Sequence, residues 1–127
     1  MKVRVMLSIV RIRAENPNAM DLAFLENKNG SLDSIMSPIR DEDGSIVTAL
    51  KLAKEYLDVD IEWLDIQPVG FFDLEEEKTV VLYYRARIPH SVPVSESCIM
   101  VRLDDLREVH EKIKKEELDA HLRSISV

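Results

Sequence analysis

The chain has 127 residues, 46% of them apolar and 32% charged, and with only 3 Gly and 5 Pro it is expected to be a single domain over residues 1–127 without a long linker. Its formal net charge of −7 opposes binding along a phosphate backbone, so no nucleic-acid partner is expected. Cys98 is the single cysteine, which excludes an internal disulfide and suits a cytoplasmic setting.

The first ten residues are apolar but interrupted by Arg4 and Ser8, and Arg11 and Arg13 follow. That run is too short to cross a bilayer and has no small-residue cleavage site, so it reads as a strand, and no membrane partner is expected. Val3, Val5, Leu7 and Ile9 alternate within a strand expected over residues 3–12. Asn16-Pro17-Asn18 signals a turn, residues 20–26 a second strand, and Asn29-Gly30 a tight turn after it. A short extended piece over Leu32–Met36 leads to Pro38 and the polar stretch Arg40-Asp41-Glu42-Asp43-Gly44.

Ser45 is the expected N-cap of a helix over residues 47–57. Val47, Leu50, Ala53, Tyr56 and Leu57 share one face, which Ala49 and Leu52 widen, so the helix is expected to be mostly buried. A strand follows over residues 61–66, then a hairpin loop holding Gly70, Asp73 and Glu75–Glu77. Thr79–Ile88, rich in Val and Tyr, reads as a strand, as does Ser97–Leu103 after a loop. A long charged helix is expected from Asp104 or Asp105 to about Ser124.

This order of strands and helices resembles the Nudix (MutT-like) fold, an α/β/α sandwich on a mixed β-sheet. Residues 36–45 lie where that family has a Pro-Gly-Gly loop, and residues 48–59 lie against its Ala-Ala-x-Arg-Glu-Leu-x-Glu-Glu-x-Gly-Leu helix. Val101-Arg102-Leu103-Asp104-Asp105-Leu106 is similar to its closing strand and the start of its last helix. The resemblance implies three glutamates at i, i+3 and i+4 on one helical face, holding Mg²⁺ that polarises a phosphate and activates water. The matching positions here are Leu52, Glu55 and Tyr56, the family's arginine is Lys51, and its paired loop glycines are Ile39 and Arg40. One carboxylate of three remains, so no cofactor is expected; Mg²⁺ would be needed only if a divergent hydrolase rebuilt its site from Glu55 and loop acids.

Glu55 is therefore the sole catalytic and metal-ligating candidate on the helix, weighed against a plain solvent-facing residue. Arg40, Lys51, Phe71, Phe72 and His90 are the candidates for ligand binding. Trp63, Tyr83 and Tyr84 read as core aromatics, and Cys98 as a structural thiol. His90, His110 and His121 have no zinc-site spacing. Three functions follow: a pseudoenzyme binding a nucleotide-type small molecule or a protein partner, a divergent Mg²⁺-dependent hydrolase of a nucleoside diphosphate derivative, and an assembly module acting as a homodimer.

Overall fold

The computed structural model describes residues 1–13, 15–16, 19–39, 42–60 and 65–126. Strands β1 (Lys2–Ile12), β2 (Met20–Glu26), β3 (Leu32–Asp33) and β4 (Ile35–Pro38) precede helix α1 (Gly44–Tyr56). Strands β5 (Asp65–Leu74), β6 (Thr79–Pro89) and β7 (Cys98–Arg102) follow, then the short helix α2 (Leu106–Val109) and the terminal helix α3 (Lys115–Ser126). The sheet runs β3-β2-β1-β6-β5, with β4 added on β1 and β7 on β2.

β1 is the axis of the molecule. It pairs in parallel with β6 along its whole length, from Lys2 opposite Thr79 to Ile12 opposite Pro89. Its other edge is shared antiparallel between β4, at Arg4–Leu7, and β2, at Val10–Ile12. Val5 through Val10 are all buried, as a strand covered on both faces requires. Val5, Leu7 and Ile9 meet Ala49, Leu52 and Ala53 of α1 together with Tyr84, Ala86 and Ile88 of β6. Met6, with Val81 and Tyr83, meets Ala120 of α3 on the opposite face. The result is the expected three-layer α/β/α sandwich on a mixed sheet.

Several expected boundaries move. α1 begins at Gly44 after Asp43, not after Ser45; Ser45 lies inside the helix, its hydroxyl 2.6 Å from that of Tyr84. The buried stripe is Thr48, Ala49, Leu52 and Ala53, while Val47, expected to be inside, is exposed with its neighbour Ile46. The expected hairpin loop at Gly70 and Asp73 is strand: β5 continues to Leu74 opposite Thr79, with a bulge between Pro68 and Gly70, and only residues 75–78 form the turn. The expected single terminal helix is broken, because Ile113 turns extended (φ −119, ψ 138) and buries its side chain before α3 begins. The expected strand at residues 61–66 is seen only from Asp65, Ile61–Leu64 lying outside the described residues. No described helix is long and apolar enough to cross a membrane.

Candidate functional site

The third and fourth turns of α1 carry the residues aligned with the metal-binding glutamates. Leu52 is 6% exposed and belongs to the core beneath the helix with Ala49, Ala53 and Leu57. Tyr56 is half-buried against the same cluster, among Val92, Val94, Cys98 and Met100. Burial pushes its phenol pKa up, and the negative charge of Glu55 adds to that. Glu55 itself is exposed and makes no hydrogen bond or ion pair among the described residues. Among those residues no group of three or more His, Cys, Asp and Glu is arranged to hold a metal ion. A hard divalent cation needs several oxygens at once. One water-facing carboxylate between a core leucine and a half-buried phenol does not fit Mg²⁺.

The other candidates are scattered. Lys51 is tied to Asp43 by an ion pair of 2.6 Å. Arg40, Asp41 and Trp63 lie outside the described residues. Phe71 and Phe72 point to opposite faces of β5: Phe71 is 65% exposed, whereas Phe72 packs on Tyr83 with ring centroids 5.9 Å apart. Phe71 sits opposite Leu82, and the seven residues from there to Pro89 span about 23 Å at ~3.3 Å per residue, so Phe71 is far from His90, which follows the end of β6. Cys98 is half-buried and its thiol pKa is pushed up by burial, against a hydrogen bond from Ser97, which is the reverse of what a nucleophile needs.

The polar feature that stands out lies at the end of the sheet where β1 and β6 terminate. Arg11 on β1 faces Asp21 on β2, and Asp21 in turn faces Arg102 on β7. Asp21 is 1% exposed; its Oδ2 accepts from Nη2 of Arg11 at 3.1 Å and from Nε of Arg13 at 3.3 Å, and its Oδ1 accepts from Nη2 of Arg13 at 3.2 Å. Burial alone would raise the carboxyl pKa, but the two guanidinium groups overcome it and hold the group below its ordinary value. Arg102 is exposed and makes no hydrogen bond or ion pair among the described residues. The Nε atoms of Arg11 and Arg87 are buried without a hydrogen-bond partner.

Two cavities open beside Arg13. One of about 440 Å³ is bordered by Arg13, Met20, Arg102 and Leu103, with Glu15 and Asp104 on its rim. The other, about 550 Å³, is lined by Ile12, Arg13, Asp65, Arg87, Ile88, Pro89, His90 and Ser91. His90 thus borders a cavity, beside arginines that sequence reasoning passed over. Arg11 and Arg13 share one side of β1 by alternation, which was visible; that Asp21 and Arg102 would stand beside them depended on strand register.

No family model and no curated protein matches the chain. Its fold is similar to solved structures across nearly its whole length. A mutT/nudix family protein from Listeria innocua is 11% identical with a TM-score of 0.73, the match covering 98% of this chain and 92% of that one. The Ap4A hydrolase of C. elegans is 17% identical with a TM-score of 0.71, covering 99% and 96%. The NUDIX domain of Shewanella oneidensis NrtR, solved with ADP ribose, is 13% identical with a TM-score of 0.70, covering 98% and 86%. This chain has the Nudix fold.

Proposed function

We propose that this chain is a Nudix-fold binding domain that takes a nucleotide-type ligand at the arginine-rich end of its sheet and does not hydrolyse it by the family's metal-dependent route. The observation that carries the reading is Leu52, buried in the core where the first metal-binding glutamate would stand, beside an isolated Glu55. The cavities at Arg13 supply cationic donors together with the apolar walls of Ile12, Ile88 and Pro89, a combination suited to a charged group joined to a flat ring. Similarity to an Ap4A hydrolase and to a domain solved with ADP ribose supports the ligand class by fold analogy.

The test is incubation of purified protein with ADP ribose and Ap4A in Mg²⁺ or Mn²⁺, alongside calorimetric binding of the same compounds. Binding without product formation is the expected result. Cleavage that disappears in Glu55→Gln would overturn the reading in favour of a hydrolase.

A second reading, self-association, is favoured by Phe71, which is 65% exposed on edge strand β5. It ranks lower because Pro68 interrupts the donors of that edge and acids stand at both ends, Asp65 and Asp73. Sedimentation of wild type and Phe71→Lys checks it: a concentration-dependent dimer lost in the variant would raise it above the first.

A further inference from the structure

The geometry points to Arg11, Arg13 and Arg102 as a metal-free site for a phosphate or pyrophosphate group. The inference rests on the ligand-binding reading above and specifies which chemical group of the ligand is held and by what.

Arg11, Asp21 and Arg102 are direct neighbours across three adjacent strands, with Arg13 just past the end of β1. Residues facing each other on antiparallel strands bring their Cβ atoms to roughly 5 Å, so Arg102 starts beside the Asp21 that holds Arg11 and Arg13, and Arg13 and Arg102 border the same cavity. They lie on the α1 side: Arg11 and Arg13 continue the alternation of Leu7 and Ile9, Asp21 that of Ala23, and Arg102 that of Cys98 and Met100. Among the described residues one carboxylate is paired with Arg11 and Arg13 and none with Arg102, and that carboxylate is buried with both oxygens occupied. Glu15 and Asp104 on the cavity rim are exposed, so water and salt screen them.

Asp21 has a second consequence. By gripping Arg13 with two parallel hydrogen bonds and Arg11 with a third, it fixes two guanidinium planes in advance. Arg102 makes no hydrogen bond or ion pair among the described residues and supplies the movable donor. An ion-paired arginine keeps spare N–H donors, because the group has five and a carboxylate uses two. Phosphate oxygens match that fork. The positive charge that a Nudix hydrolase takes from its metal would here come from side chains.

The experiment is calorimetry in excess EDTA with pyrophosphate, ADP and adenosine as separate titrants, on wild type, Arg102→Ala and Arg102→Lys. Arg102 is exposed, so both variants are expected to fold, which far-UV circular dichroism verifies. Pyrophosphate and ADP should bind and adenosine should not. Added salt should weaken binding, and Arg102→Ala should weaken it about tenfold, with Arg102→Lys falling between. Binding of pyrophosphate but not ADP would uphold the site and overturn the nucleotide reading. ADP and adenosine binding equally, with no change in Arg102→Ala, would overturn the site and leave the ligand reading standing. No heat from any of the three would remove both.

Discussion

Ser8 on the central strand and His121 on the terminal helix are joined inside the core, Oγ to Nδ1 at 2.7 Å, although 113 residues separate them in sequence. The other ring nitrogen of His121 lies 2.8 Å from Oγ of Ser34, and the edge of the ring meets Phe24 with centroids 4.8 Å apart. A neutral imidazole has one donor and one acceptor, so one serine accepts from the ring and the other donates to it. The pair pins α3 onto the face of the sheet opposite α1.

That arrangement makes folding sensitive to mild acid. His121 is fully buried, and burial lowers its pKa from 6.5 to about 4. The ring stays neutral in the folded protein at pH values where the unfolded chain already binds a proton. Stability is therefore complete above about pH 6.5 and declines as pH falls toward 4, by about 3 kcal/mol in all. Urea melts at intervals between those values should show the decline. In His121→Gln, which keeps a donor and an acceptor, the slope should vanish while the stability near pH 7 drops. An unchanged slope in that variant would mean that another group is responsible.

Asp21 acts at lower pH. Its carboxyl pKa is held below the ordinary 3.8, so it adds stability above that value which is lost as pH falls through the lowered one. Asp21→Asn at neutral pH should cost about 2 kcal/mol, less than the roughly 3–5 kcal/mol of a fully buried broken pair because both arginines keep some contact with water. The same variant should flatten the acid limb below the His121 range. Equal chemical melts for Asp21→Asn and wild type would show that the pair contributes little.

Hydrophobic alternation makes β1, β2 and β6 legible in the sequence within a residue or two, and the middle helix is likewise evident. Two elements are hidden for identifiable reasons. Gly70 beside an acidic run resembles a turn, but pairing with the long apolar β6 continues the strand past it as a bulge. The break at Ile113 carries no Gly or Pro; it exists because a buried isoleucine is drawn into the second core cluster, a tertiary demand. The burial of His121 and the juxtaposition of Asp21 with Arg102 depend on which strands pair and in what register, information that a linear pattern does not contain. That two of the three aligned positions, Leu52 and Tyr56, carry no carboxylate is, by contrast, legible from residue identity alone.

Gly70 and Tyr83 form a tight contact across β5 and β6. A Cβ at position 70 would lie 2.9 Å from Oη and 3.1 Å from Cζ of Tyr83, whose ring is 2% exposed. Gly70→Ala must therefore displace a packed aromatic, at a cost of about 1–3 kcal/mol. Tyr83→Phe removes the nearest atom, so the double variant Gly70→Ala/Tyr83→Phe should recover part of the loss. A double-mutant cycle on thermal melts measures the coupling. Strict additivity would place the clash elsewhere.

Rebuilding the missing motif should fail for a packing reason. Leu52 touches the core cluster that joins α1 to β1 and β6, and it is 6% exposed. Leu52→Glu removes a buried aliphatic group and puts a carboxylate in its place, with no described cation shown to meet it. The loss should be about 3 kcal/mol or more, and millimolar Mg²⁺ should not restore it, because Tyr56 supplies no third carboxylate beside Glu55. Melting temperatures with and without Mg²⁺ for wild type, Leu52→Glu and Leu52→Glu/Tyr56→Glu decide the matter. Folded variants that Mg²⁺ stabilises would show that the helix can still turn this face to solvent. Leu52 would then have only replaced a ligand, and the core would not depend on it.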